Sequence, residues 1–108
     1  MNKEEADVLE LFKQAGPLFI ALGDENRQHI VGLLLQNPQL SVNEIAAASP
    51  LSRPAISHHL KVLQQASIVS ADKQGTQRLY RLSDESIQQV DLLEALAKAL
   101  RECTKWYQ

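Results

Sequence analysis

The segment 51–66, LSRPAISHHLKVLQQA, restricts the possible folds more than any other part of the chain. Wound at about 100° per residue, it places Ile56, Leu60 and Leu63 on one side of a helix. The opposite side carries no carboxylate, and Ser52 suits the N-cap position. The pattern therefore predicts an amphipathic helix with one face in a core and the other face in solvent.

The flanking segments place this helix in a definite order of elements. The sequence SVNE at 41–44 is a capping-box pattern. It predicts the start of a short helix immediately before the amphipathic one. Two short strands follow, with a turn in which Gly75 can take a positive φ. We expect Gly16–Pro17 to end the first helix and Ser83 to cap the last one. The predicted helices are about 3–15, 24–37, 41–49, 52–66 and 84–104, and the predicted strands are about 68–73 and 77–82.

The order helix, helix, helix, helix, strand, strand, helix predicts a mainly α fold with a small β-hairpin. Two helices joined by a tight turn and followed by a hairpin form a winged helix-turn-helix. A chain of 108 residues without a repeat or linker suits a single domain. Within it we expect the helix-turn-helix at about 41–66 and the wing at about 68–82.

The composition also bears on the cellular compartment. No apolar run approaches the roughly 20 residues of a membrane span. The acidic N-terminus does not resemble a signal peptide, and Cys103 has no second cysteine with which to form an internal disulfide. We therefore expect a cytoplasmic protein without membrane contact.

The charge is distributed unevenly along the chain. Residues 49–82 hold five Lys or Arg against one Asp, whereas acidic residues are in excess on both sides. A basic segment of this kind is typical of a surface that binds a polyanion. The outer face of the predicted helix fits a DNA major groove, and the hairpin fits phosphates of the neighbouring minor groove. The predicted DNA-binding residues are Arg53, Pro54, Ser57, His58, Lys61, Gln65, Lys73 and Arg78.

The adjacent histidines of this helix require separate interpretations. His58 falls on the outer face, where it either contacts DNA or is a solvated surface residue. His59 falls within the apolar stripe, so the two rings point apart and do not form a metal site together. We expect His59 to pack inside, with a ring nitrogen bonded to a carbonyl or a neighbouring side chain.

Four stretches together resemble the ArsR/SmtB family of bacterial winged helix-turn-helix repressors. They are ALGDENRQHIVGLLL, SVNEIA, LSRPAISHHLKVLQQASIV and DKQGTQRLYRL, within residues 18–103. The resemblance implies a sequence-specific, homodimeric repressor on a near-palindromic double-stranded DNA operator, released by a metal or another inducer. It also implies a dimer interface built from the first and last helices.

The last helix fits that interface by its own pattern. Its apolar face is wide enough to cover both its own domain and a partner's helix. A terminal helix wholly buried in its own domain is the alternative. The predicted dimer-interface residues are Leu11, Phe12, Leu92, Leu96, Ala99 and Cys103.

The sequence departs from the family at its metal-binding positions. Where members of the family carry ligands, this chain has Ser41, Asn43 and Ala46 in one site and Asp84, Ser86, Ala97 and Leu100 in the other. Only Asp84 among them is a usual ligand, so we expect no metal or other cofactor at these positions. The inducer is left open. Cys103 is either a packing residue or a thiol oxidised singly or with its twin, and Ser67 stands where glycine is usual.

Two other classes of function remain to be weighed. No catalytic cluster, P-loop or dinucleotide-binding glycine pattern occurs, so we expect no enzymatic activity. A winged-helix module that binds protein instead of DNA is the alternative function, and the basic middle segment argues against it.

Overall fold

The computed structural model describes residues 1–103 and contains five helices and three strands. It confirms a mainly α fold with a small antiparallel sheet. The predicted end of the last helix, Thr104, lies outside the described residues. The elements in chain order are α1 (Lys3–Leu22), α2 (Glu25–Gln36), β1 (Leu40–Ser41), α3 (Val42–Ala47), α4 (Arg53–Gln65), β2 (Val69–Gln74), β3 (Gln77–Leu82) and α5 (Ser86–Glu102).

Side-chain caps define the beginnings of the central helices. The Asp24 carboxylate accepts the amides of Asn26 (2.8 Å) and Arg27 (3.1 Å) at the start of α2. The hydrogen bond from the Arg27 amide is the main cause of a lowered pKa of Asp24. At α3, the Ser41 hydroxyl accepts the Glu44 amide and the Glu44 carboxylate accepts the Ser41 amide, which is the predicted capping box.

The first helix is longer than its local sequence predicts. The prediction that Gly16–Pro17 ends it was wrong, because α1 continues to Leu22 with Pro17 inside it. Proline removes one hydrogen bond from the helix interior. Leu18 and Ala21 beyond it are buried, so packing against the rest of the domain maintains the helix through that position.

The sheet contains one strand more than predicted. Strands β2 and β3 pair from Val69↔Leu82 to Gln74↔Gln77, and Gly75 in the loop has φ of 63°. Strand β1 pairs with the other edge of β3, opposite Tyr80 and Leu79. The order is therefore β1-β3-β2, and β1 attaches the start of the helix-turn-helix to the hairpin.

Ser83 does not cap the last helix, so that prediction was also wrong. It is buried, its hydroxyl donates to the Ser67 carbonyl, and its amide donates to Ile68 (2.9 Å). Helix α5 consequently begins later, at Ser86.

Ser83 stabilises the turn at the C-terminal end of α4. The amide of Ile68 donates to the Leu63 carbonyl and the amide of Ser67 to the Gln64 carbonyl, which is the Schellman arrangement. Ser67 has φ of 60°, a conformation that favours glycine. The hydrogen bonds from Ser83 hold this unfavourable turn between the helix and the hairpin.

The core lies between α2, the helix-turn-helix, the hairpin and the end of α1. Its fully buried members include Ile30, Ile45, Ile56, Leu60 and Leu63, from α2, α3 and α4. The N-terminal half of α1 packs instead on α5, outside this cluster. None of the helices within residues 1–103 combines the length and the apolar character that a membrane span requires.

Candidate nucleic-acid interface

Helix α4 presents one buried and one exposed face, as its sequence predicts. Ile56, Leu60 and Leu63 are fully buried in the core. All six residues predicted on its outer face are exposed, and they are Arg53, Pro54, Ser57, His58, Lys61 and Gln65. The structure therefore brings these six together on one face that carries no carboxylate.

Hydrogen bonds fix the turn that leads into α4. The His29 ring donates from Nε2 to the Ala48 carbonyl over 3.0 Å, which attaches the end of α3 to α2. The Ser49 hydroxyl accepts the Leu51 amide (3.2 Å), and the Ser52 hydroxyl accepts the Ala55 amide (3.3 Å). The exposed face of α4 is thus presented on an ordered turn.

The wing places two cations side by side near its tip. Lys73 and Arg78 are directly opposite each other on β2 and β3, one residue pair away from the pair that closes the loop, and both are exposed. Opposite residues in an antiparallel pair point to the same side of the sheet, and like charges there repel. A phosphate between or beside them would relieve that repulsion.

A third cation of the wing, Arg81, is already paired with carboxylates. The Arg81 guanidinium donates from Nε to Asp72 (3.0 Å) and from Nη1 to Asp84 (3.4 Å). The Asp72 hydrogen bond is the main cause of a raised pKa of Arg81. This pairing neutralises the only carboxylate of residues 49–82 and leaves the basic side chains Arg53, Lys61, Lys73 and Arg78 on this surface.

His59 is partly buried behind the exposed face, and its partner is Arg27. The Arg27 Nη1 atom lies 3.2 Å from His59 Nδ1. The same guanidinium donates to the carbonyls of Ile20 (2.7 Å) and Ala21 (2.8 Å) at the end of α1. The sequence predicted a bonded ring nitrogen for His59. It did not indicate Arg27, which is 32 residues away.

The predicted dimer residues differ in their exposure. Phe12 is 40% exposed, whereas Leu96 (4%) and Cys103 (6%) are buried within the chain itself. Leu11, Leu92 and Ala99 are half-buried.

The predicted dimer-interface set omitted further exposed apolar side chains on the same two helices. Leu9, Phe19 and Ile20 lie on α1 with Phe12, and Ile87 and Val90 lie on α5. Placing the end of α1 at residue 15 concealed the two on its second half.

Among residues 1–103 no group of three His, Cys, Asp or Glu side chains is arranged to hold a metal ion. Of the positions compared with family ligands, Ser41 is part of the α3 capping box and Asp84 accepts Arg81.

Comparison with known proteins complements this geometry. The family model of bacterial regulatory proteins, arsR family, matches residues 24–71, from the start of α2 into β2. An uncharacterised HTH-type transcriptional regulator of Methanocaldococcus jannaschii is 35% identical over 82 residues, covering 76% of this chain and 92% of the relative. The chain belongs to the arsR family.

Two further relatives extend the comparison. The HTH-type transcriptional repressor SmtB of Mycobacterium tuberculosis is 37% identical over 90 residues, covering 83% of this chain and 65% of the repressor. The solution structure of a homodimeric winged helix-turn-helix DNA-binding domain from Mycobacterium bovis is similar with a TM-score of 0.62 at 26% identity, covering 94% and 92% of the two chains.

Membership in the arsR family confirms the predicted winged helix-turn-helix. The chain is a DNA-binding transcriptional regulator of the repressor type. A family of transcriptional regulators also agrees with the expectation that the chain is not an enzyme.

Proposed function

We propose that this arsR-family chain is a cytoplasmic homodimer that binds a near-palindromic operator and represses transcription from it. The single observation that carries the proposal is the exposed face of α4, which carries Arg53 and Lys61 and no carboxylate. Its residues lie opposite a fully buried apolar stripe, so the face is available to DNA without disturbing the core.

The residues of this surface would divide between base recognition and positioning. Arg53 is at the N-terminal end of α4, where it can form a bidentate contact with a guanine edge. Pro54, Ser57 and His58 follow it along the same face. Lys61 and Gln65 lie further along and would contact the phosphate backbone.

The wing would bind the backbone beside the major groove. Lys73 and Arg78 form an exposed cationic pair near its tip. Each phosphate contacted by such a side chain releases counterions, so binding weakens as salt is added. The occupied Arg81 would not contribute to this effect.

The dimer would form through the outer sides of α1 and α5. Exposed apolar side chains occur on both helices, and Phe12 and Phe19 lie with ring centroids 6.3 Å apart on α1. The homodimeric Mycobacterium bovis domain supports two copies of this fold. Leu96 and Cys103 are already covered by their own chain, so they would support the interface from behind.

Repression would not depend on metal at the positions where relatives of this family carry ligands. Ser41 has a structural partner in Glu44, and Asp84 has one in Arg81. The remaining positions include Ala97 and Leu100, which have no donor atom for a metal.

Selection of duplexes from a random-sequence pool tests this proposal. We expect enrichment of sites with two inverted half-sites about one helical turn apart, and sedimentation should show two chains on each duplex. Failure to enrich any duplex at low ionic strength would contradict DNA binding and favour the protein-interaction module. One chain on each enriched duplex would contradict the dimer alone.

A further inference from the structure

Arg27 connects three helices through one side chain. Its guanidinium donates to two carbonyls in the last turn of α1, those of Ile20 and Ala21, and approaches His59 of α4 at 3.2 Å. Its own backbone is in the first turn of α2, where its amide is bonded to Asp24. No other side-chain hydrogen bond among the described residues joins α4 to α1 or α2.

This bond depends on the protonation state of His59. A guanidinium only donates hydrogen bonds, so His59 Nδ1 must accept and must lack a proton. In the neutral ring the proton is then on Nε2. Protonation of Nδ1 would remove the acceptor and place two positive charges side by side.

We propose that Arg27 and His59 are positioning residues that hold α4 in its DNA-binding orientation on α1, and that they do so only while His59 is neutral. The inference rests on the proposed function and adds a pH-dependent coupling to it. Because α1 belongs to the proposed dimer interface, the pair sets the recognition helix relative to the partner's recognition helix. Its loss would weaken binding to two half-sites at once.

Two charged side chains of α2 lie near the His59 ring. Arg27 is bonded to it, and the Asp24 carboxylate interacts electrostatically with both. The His58 ring lies 5.6 Å away between centroids and can also become charged.

The other elements packed on α4 contribute little charge. The last turn of α1, residues 18–22, contains no titratable side chain. Glu44 of α3 accepts the Ser41 amide, Asp72 of β2 is paired with Arg81, and Lys73 lies exposed on the wing.

The two neighbouring histidines should respond to acid in opposite directions. Histidine side chains titrate between about pH 5 and 8. Protonation of His59 breaks the bond to Arg27 and weakens DNA binding. Protonation of exposed His58 adds a positive charge to the face toward DNA and strengthens binding. Substituting them one at a time therefore separates a local bond from a general effect of charge.

The binding test uses the full chain and a duplex selected from a random pool by the wild type at pH 8.0. Dissociation constants are measured at pH 8.0 and 5.5 and constant ionic strength. We expect acidification to weaken wild-type binding about tenfold more than it weakens His59→Gln binding, because glutamine keeps an acceptor but does not titrate. In His58→Gln the loss should be larger than in the wild type. Equal losses in wild type and His59→Gln would overturn the proposal.

Two further variants distinguish positioning from folding. His59→Ala has no acceptor, so it should bind the selected duplex about tenfold more weakly than His59→Gln at pH 8.0 while melting as a folded protein. Arg27→Lys loses the planar fork and should show a flattened pH response. Equal binding by His59→Ala and His59→Gln, or an unchanged pH response in Arg27→Lys, would count against the pair.

A measurement without DNA separates this inference from the proposed function. Nitrogen chemical shifts of the wild-type histidine rings identify which nitrogen is protonated at pH 8.0. We expect the Nε2–H tautomer for His59, and Arg27→Lys should perturb its Nδ1 signal. A proton on Nδ1 at pH 8.0 would exclude the bond even if operator binding were confirmed.

Discussion

The unit formed by α2, the helix-turn-helix and the hairpin differs from the α1–α5 layer in how far its core is closed. In the first region the apolar residues of α2, α3, α4 and the sheet form one buried cluster, together with Leu18 and Ala21 from the end of α1. In the second, Val8, Ala15, Leu96 and Cys103 are buried, but Leu9, Phe12, Phe19, Ile87 and Val90 remain exposed on the surface.

The two regions also differ in the kinds of side chain that they expose. The first exposes cations on α4 and the wing, whereas the second exposes apolar side chains next to acidic ones such as Glu4, Asp7 and Glu102. Apolar residues left on the surface at this density are typical of an interaction site. The helix-turn-helix and hairpin thus have a closed core within one chain, whereas the α1–α5 layer leaves apolar side chains uncovered.

The largest expected effect tests the closed core. Leu60→Ala removes a fully buried side chain and should lower the free energy of unfolding by about 2–5 kcal/mol. Urea unfolding followed by circular dichroism measures it. Leu35→Ala is the matched control, since Leu35 is 71% exposed and should change stability by less than about 0.5 kcal/mol. Similar losses in the two variants would contradict the assignment of the core.

The next effect tests the exposed apolar surface of the α1–α5 layer. Phe12→Glu places a charge on the exposed apolar side of α1 and should weaken dimerisation by at least about 2 kcal/mol, roughly thirtyfold. Sedimentation equilibrium measures the change. Gln14→Glu adds the same charge on another side of α1, where Gln14 is exposed, and should leave the dimer intact. Equal dimerisation by Phe12→Glu and wild type would remove this side of α1 from the interface.

A smaller effect tests the proposed DNA-binding surface itself. Arg53→Ala should weaken binding to the selected duplex by about 1–3 kcal/mol and relax the base preference at one position of each half-site. Competition binding against single-base variants of the duplex measures both changes. Arg101→Ala removes an exposed arginine from the end of α5 and should leave operator affinity nearly unchanged. An unaltered base preference in Arg53→Ala would show that another residue reads the operator.

The smallest effect concerns the turn between α4 and the wing. Ser67 has φ of 60°, so Ser67→Gly should relieve backbone strain and raise the free energy of unfolding by about 0.5–1 kcal/mol. Ser67→Ala keeps the unfavourable conformation and should show no such gain. Destabilisation by Ser67→Gly in thermal or urea unfolding would mean that the serine side chain has a role of its own.

The fold was predictable wherever local sequence decides the structure. The capping box at Ser41, the cap at Ser52, the glycine turn at Gly75 and the two faces of α4 all depend on residues within one or two helical turns. These local features were enough to predict the helix-turn-helix and the hairpin, and they were also enough to predict which side chains of α4 are exposed.

The sequence predictions failed where residues distant in the chain determine the structure. Helix α1 continues past Pro17 because its C-terminal end is packed and two carbonyls of its last turn accept hydrogen bonds from Arg27. The Ser83 hydroxyl donates to the carbonyl of Ser67, 16 residues earlier, and β1 exists only through pairing with β3.

The candidate site shows the same division. Its exposed members on α4 follow from helical periodicity. By contrast, the Arg27–His59 bond and the occupation of Arg81 by Asp72 and Asp84 arise from tertiary structure. The charge count of residues 49–82 gave the correct sign for this surface, but it included one arginine that is already paired.

The salt dependence of duplex binding tests the central claim most directly. With Lys61, Lys73 and Arg78 contacting phosphates in each of two chains, the logarithm of the association constant should fall linearly with the logarithm of salt concentration, with a slope of about −5. Arg78→Ala should reduce the magnitude of that slope by about 2. A chain that binds no duplex at low salt, or binds with a slope near zero, would contradict the assignment of this surface to DNA.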